Sequence, residues 1–457
     1  MKKTLLLFSS AIFGLGVATA QEVVQVTEGN LWMRTGGMMV QAMSANGRYL
    51  TGVNTNWEAF IYDTETQTLV CTSSEIGSVP DEQGATQFRA VTDDGVAYGY
   101  DGQGGITLDM EGNFKVFHPM TEDEEMPCTP EDVTPDGKIC VGFTSPSWTE
   151  QEPCYWENGE YHKLYYPDTA ETGFWINAGA RAFAVSDDGS IILGQLNNRQ
   201  HTYPMVYWRR QEDGSYKYVA AYEDHFEDAY DGKTLKQYYT TGKDIYFSPA
   251  CLSPDGKTVL VYAQPVNLQE QKIYPLQMAL YNIEDNTVTY PGYDKNNFLY
   301  SDSDGLFTFT GISVEGYIVG FIGSPFAGSS QPFIIKPGEY NNALSFQEAF
   351  PGQDLLDEYS DFQLGGAPYL AVGISNNANR IAGYCEIEVQ EYDTYGYATF
   401  YIDTNFNPSD GVSAIRDNAA GMTEYYSIDG LKLDAPVKGL NIVRTPEGKT
   451  SKIFVNQ

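Results

Sequence analysis

The sequence predicts an all-β chain: a seven-bladed β-propeller of four-stranded antiparallel blades, followed by a small C-terminal β module. Three observations carry that expectation. A short hairpin is written seven times, a second and looser hairpin follows it, and the lead Ser or Thr of the first hairpin recurs every 42 to 67 residues, at 44, 92, 134, 186, 253, 313 and 375. A four-stranded unit recurring near that period is a propeller blade.

The N-terminus comes first. "MKK" is basic, "TLLLFSSAIFGLGV" is apolar and "ATA" at 18–20 is a small-residue cleavage site. This is the pattern of a secretory signal peptide over 1–20, cut between Ala20 and Gln21. The run is too short for a membrane anchor, and no later segment is long and apolar enough to span a bilayer. The expected location is extracellular or the outer cell surface, with the periplasm as the alternative.

The propeller is expected over 21–405. Each repeat leads in with an apolar pair, such as Ala184-Val185 or Gly311-Ile312. Ser or Thr follows, then two residues on a turn-former: Asn46, Asp94, Asp136, Asp188, Asp255, Glu315 or Asn377. Gly comes next in six copies, and Ala378 replaces it in the seventh. The hydroxyl bonds the backbone ahead, Pro135 and Pro254 pre-set φ, and Gly accepts positive φ. A short apolar run then ends in Gly at 52, 99, 142, 194, 320 and 383, where backbone can approach closely. Val261 stands there in the fifth copy. The second hairpin opens with "AFIY" at 59–62, "PCYW" at 153–156, "MVYW" at 205–208, "MALY" at 278–281, "PFII" at 332–335 or "TFYI" at 399–402. The last blade lacks a clear fourth strand, so "EVVQV" at 22–26 is expected to complete it and lock the ring.

The "SPDGK" turn at 253–257 resembles those of TolB-type and WD-like propellers. The A-[IV]-S-x-D-G-x-x-[IV]-x-G pattern is similar to bacterial extracellular HAF-type repeats. The likeness covers seven short segments and implies a fold, not a function.

A linker is expected at 406–411 and a β module at 412–457. The tail residues Tyr425 to Gly430, Lys438 to Val443 and Lys452 to Val455 resemble the C-terminal sorting domain of type IX secretion substrates in Bacteroidetes. That resemblance implies export machinery as a partner.

The net charge is −34, and −36 without Lys2 and Lys3, which argues against nucleic acid and anionic membranes as partners. No cofactor is implied. "SDSDG" at 301–305, with Asp302 and Asp304, is the one calcium-loop candidate, although it lacks the first acidic ligand and the distal Glu of an EF-hand. Of six cysteines, Cys140 and Cys154 fall on neighbouring strands and are the expected disulfide. None of the four histidines lies in HExxH, and no Ser lies in GxSxG. The Asp residues of "SDDG" and "SPDG" recur once per blade and read as turn residues.

The candidate binding residues lie in the long insertions between blades: Trp175, Tyr222, His225, Tyr230, Tyr238, Tyr239, Tyr293 and Tyr359. Rings that stack and carboxylates that accept hydroxyl hydrogen bonds suit a glycan; a protein partner is the other reading. An alternative is a hydrolase or lyase with funnel carboxylates among Asp168, Glu171, Asp224 and Asp228. A structural envelope protein is a third. No motif singles out a catalytic acid, so the non-catalytic binding reading leads.

Overall fold

The computed structural model describes residues 23–25, 31–34, 37–54, 56–80, 84–120, 126–147, 150–166, 178–197, 205–221, 247–263, 266–267, 272–273, 277–289, 307–323, 331–340, 342–350, 369–389, 394–404, 406, 424–427, 432–433, 439–444 and 450–455. Two compact units divide at Thr404 and Asn405.

The first unit is almost wholly strand. Each of the first six repeats contributes four antiparallel strands, beginning with Met38–Met43, Tyr49–Asn54, Ala59–Asp63 and Thr68–Cys71. The first strands of the next five sheets are Gln87–Val91, Met126–Val133, Ala178–Val185, Phe247–Leu252 and Phe307–Ile312. The seventh sheet starts at Tyr369–Ile374 and continues with Arg380–Val389 and Thr394–Asp403. The third and fourth sheets are bridged by a two-residue parallel pairing of Glu150 and Gln151 with Ala178 and Gly179.

The seven first strands pack each against the next, and the seventh packs back against the first. That closed ring of radial sheets is a β-propeller. Apolar residues fill the space between facing sheets. Val141 and Tyr155 of the third sheet meet Ala180, Ala182, Ile192 and Trp208 of the fourth. Met38, Leu50 and Phe60 of the first meet Ala382 and Tyr401 of the seventh. Burying such faces in water-free contact is the main favourable term for the fold.

Closure differs from the expected form. The strand that pairs with Thr394–Asp403 is Leu31–Arg34, with Leu31 opposite Ile402 and Arg34 opposite Thr399. Val23–Gln25 pairs with Leu31–Arg34 and becomes a fifth strand. The N-terminal strands therefore join the seventh sheet as an antiparallel pair, with Leu31–Arg34 against Thr394–Asp403 and Val23–Gln25 covering the outer edge of Leu31–Arg34.

The turns behave as their chemistry dictates. Ser186 Oγ donates to Asp188 Oδ1 at 2.8 Å and accepts from Ile191 N–H at 3.0 Å. Gly189 takes φ +68°, and Ala378 is held at φ +55° in the equivalent place.

The Cys140–Cys154 disulfide is not formed. Cys140 lies opposite Trp156, and Cys154 lies opposite Gly142, so the two are offset diagonally on neighbouring strands. Diagonal neighbours sit too far apart for an S–S bond. Both thiols instead pack as apolar groups with Cys128, Val133 and Trp156 between the second and third sheets.

The second unit is described by four antiparallel strands in the order Lys432–Leu433, Glu424–Ser427, Gly439–Arg444, Thr450–Val455. Among the described residues, no helix is long and apolar enough to cross a membrane.

Candidate functional site: a polar layer on the propeller axis

Strand direction gives the ring two ends. Every first strand runs toward its Ser/Thr turn, so all seven turns gather at one end of the axis. The turns between second and third strands, and the strand ends that lead from sheet to sheet, lie at the other.

At the turn end, backbone hydrogen bonds link successive turns. Asp93 N–H donates to Pro135 O at 2.9 Å, Asp187 N–H to Pro254 O at 2.8 Å, Val314 N–H to Asn376 O at 2.9 Å and Asn376 N–H to Ala45 O at 2.8 Å. The relay breaks after Pro135 and after Pro254, because proline has no N–H to donate. Between the first and second sheets Asn46 substitutes, its N–H donating to Asp93 Oδ1 at 2.8 Å. Asn376 Nδ2 also reaches Asp187 Oδ2 at 2.5 Å, linking the seventh sheet to the fourth across the ring.

Burial and the nearby Asp93 carboxylate push Asp187 up to about 6. Its neighbour Asp188 goes the other way. Burial opposes it, but hydrogen bonds from Ser190 and Ser186 hold it below the usual carboxylate range. One Asp of the "DD" pair faces the axis and the other closes the turn.

Three residues before each lead Ser or Thr, every first strand carries a β-bulge. The ladder register shifts at Val40/Ala42, Phe88/Ala90, Pro130/Asp132, Ala182/Ala184, Pro249/Cys251, Phe309/Gly311 and Ala371/Gly373. In six sheets the backbone beside the bulge crowds the closing glycine, while the fifth sheet carries the same bulge with Val261 opposite Pro249. A Cβ on Gly99 would stand 1.8 Å from Gln87 O, and one on Gly142 would stand 2.1 Å from Thr129 O. The extra residue re-aims a side chain.

The residues skipped by the ladder are Gln41, Arg89, Glu131, Phe183, Ala250, Thr310 and Val372. In sheets five to seven they are small or apolar, apart from Thr310, whose hydroxyl donates to Ala371 O at 2.9 Å. In sheets one to three they are Gln, Arg and Glu.

Glu131 is half-buried on the first strand of the third sheet. Burial raises its carboxyl, while Arg89 and then Arg181 oppose that through space. Arg181 is held by Gln195: with its amide oxygen facing the guanidinium, Gln195 accepts from Nε at 3.0 Å and Nη2 at 3.2 Å. Arg89 Nε, Gln41 Oε1 and Gln87 Oε1 are buried polar atoms with no hydrogen-bond partner. Such atoms cost free energy unless something fills the space before them.

Asp132, beside Glu131, plays a different part. Its Oδ1 accepts from Val133 N–H and its Oδ2 from Val185 N–H of the fourth sheet, both at 2.8 Å. Burial carries it up to about 7. It is a staple between sheets.

At the opposite end, Trp57 is 52% exposed with φ +61°. Asn54 Oδ1 accepts from the N–H groups of Asn56 and Glu58, which fixes this turn. Trp57 O accepts from Thr86 N–H at 3.0 Å, immediately before Gln87 of the axial layer. Trp156 and Trp208, on the third strands of their sheets, are by contrast wholly buried.

The insertion residues Trp175, Tyr222, His225, Tyr230, Tyr238, Tyr239, Tyr293 and Tyr359 lie outside the described residues, as do Asp168, Glu171, Asp224, Asp228, Asp302, Asp304, Ala20 and Gln21. Among the described residues, no group of three or more His, Cys, Asp or Glu could hold a metal ion. His118 Nδ1 accepts from Trp156 Nε1 at 3.2 Å, and His162 stacks on Tyr155, so both serve packing. The axial layer escaped sequence reasoning, although a signal existed. Three residues before the lead Ser or Thr, Arg89 and Glu131 are the two charged residues in a series that otherwise holds Gln41, Phe183, Ala250, Thr310 and Val372.

No known protein-family profile matches the chain, and no curated protein is similar to it. Solved structures similar in fold include an oligogalacturonate lyase from Vibrio parahaemolyticus, 12% identical with TM-score 0.47, covering 84% of this chain and 96% of that one. TolB from Acinetobacter baumannii is 12% identical with TM-score 0.38, covering 73% and 79%. The β-propeller domain of the Trilobed protease from Pyrococcus furiosus is 11% identical with TM-score 0.40, covering 87% and 99%.

Proposed function

We propose that the chain is an exported, non-catalytic, seven-bladed propeller that binds a saccharide at the loop-bearing end of its axis. The observation that carries this is the axial layer, where Arg89, Gln41 and Gln87 hold buried polar atoms without partners. An exposed Trp57 beside the mouth supplies the ring face that sugars stack on. The N-terminal leader and the sorting-like tail would take the protein to the outer surface or the medium.

Hydrolysis of a glycosidic bond needs two carboxyls facing one substrate. Glu131 stands on the innermost strand of its sheet, but both oxygens of its neighbour Asp132 are engaged by backbone N–H groups. That supports binding over catalysis.

The test is a glycan array probed with the full mature chain, with and without calcium. Saturable binding that is lost in Trp57→Ala while the melting temperature holds would support the reading. Binding to no glycan would overturn it, and release of shortened product would replace it with the enzymatic reading.

A further inference from the structure

The charge of the axial layer narrows the ligand further, on the premise that the saccharide reading is right. Arg89, Glu131 and Arg181 lie on the first strands of three successive sheets, and both guanidinium groups act on the one carboxyl through space, inside a chain whose overall charge is −34. The two arginines differ. Arg181 is spoken for: Gln195 accepts from it, and its guanidinium lies 5.9 Å from the Phe183 ring centroid. Arg89 is not: its buried Nε has no partner, and its influence on Glu131 is exerted through space. A buried guanidinium is a fork of donors with no acceptor capacity of its own. What completes it is an anionic oxygen pair, and carboxylate matches that fork bidentately. The neighbouring Gln41 and Gln87 then offer amide groups to hydroxyls beside that carboxylate.

We propose that Arg89, backed by Arg181, receives a carboxylate of the ligand on the propeller axis, so that the ligand is an acidic saccharide. Glu131 is the counter-charge that the ligand's carboxylate must compete with. The layer then acts as a charge-selective seat: Arg89 attracts the ligand, and ionised Glu131 weakens it.

The experiment is titration calorimetry of the full mature chain with short oligosaccharides in matched pairs, each as the neutral hexose form and with its terminal C6 oxidised to a carboxylate. The acidic member is expected to bind at least about tenfold more tightly, the scale of one charge-assisted hydrogen-bond pair. Arg89→Gln should abolish that preference. Glu131→Gln should move affinity the other way, tightening the acidic member and leaving the neutral one unchanged. A merely structural role would not give opposite signs in two variants with wild-type melting curves. Equal affinity for both members would overturn the acidic-ligand inference and leave the saccharide reading standing. Binding of neither member, together with a blank glycan array, would overturn both.

Discussion

The turn layer and the bulge layer stand three residues apart on the same seven strands, and they follow opposite rules. In the turn layer the residue type hardly varies, and each side chain closes its own hairpin, as Ser186 and Asp188 do for Ile191 and Ser190. In the bulge layer the residues run Gln, Arg, Glu, Phe, Ala, Thr, Val, and three of the polar atoms there or beside it have no partner. One layer holds the ring together. The other differs from sheet to sheet: Phe183, Ala250 and Val372 pack against apolar clusters and Thr310 bonds Ala371 O of the seventh sheet, whereas Gln41 and Arg89 each keep a buried polar atom without a partner.

The comparison can be broken at its frame. Gly99→Val would place a side chain against Gln87 O, 1.8 Å from the added Cβ. The expected outcome is loss of folding, costing at least about 3 kcal/mol, seen as absent or low-melting protein. A mild effect would mean that the bulge is not the constraint.

A second test uses pH. Asp132 titrates at about 7 in the fold, against about 3.8 ordinarily, because burial disfavours its charge. Between those values the folded chain holds a proton that the unfolded chain has lost. Stability is therefore full below about pH 4 and falls as pH rises toward 7, by about 4 kcal/mol at most. Asp63 runs oppositely. Burial opposes ionisation, but Arg48 holds it at about 2, so its contribution is present above about pH 4 and is lost on acidification toward 2. Asp132→Asn keeps an acceptor for Val185 N–H and should flatten the upper slope in denaturant melts across pH 4 to 8.

Ser186→Ala strips Ile191 N–H of its acceptor in a buried turn, and a loss of about 1–2 kcal/mol in chemical denaturation is expected. Ala378→Gly relieves a left-handed Ala at φ +55° and should stabilise by about 0.5 kcal/mol. Arg89→Gln, in the other layer, should leave stability within about 0.5 kcal/mol of wild type, since it breaks no hydrogen bond of the frame. A large loss there would erase the distinction between the layers.

Much of the frame was legible because it is local. Ser186, Asp188 and Gly189 act within one hairpin, so their spacing is their mechanism. The strands "PCYW" and "MVYW" appear as the third strands of their sheets for the same reason, since period-two apolar runs pack on both faces of a blade. The candidate site was less legible. Glu131 and Arg89 look like ordinary strand residues until their bulges are seen, and Arg181 joins them from 50 residues downstream of Glu131. Trp57 gave no signal either, since nothing in "NTNWE" announces an exposed left-handed Trp.

The sequence by itself determined the hairpins, their order and the small strand module at the end, because turn chemistry and side-chain alternation act over a few residues. Tertiary structure decided which N-terminal strand closes the seventh sheet, that Cys140 and Cys154 remain unbridged, and which polar residues share the axis. Those outcomes depend on strand register and on backbone meeting backbone between sheets far apart in the chain, which spacing along the sequence does not encode.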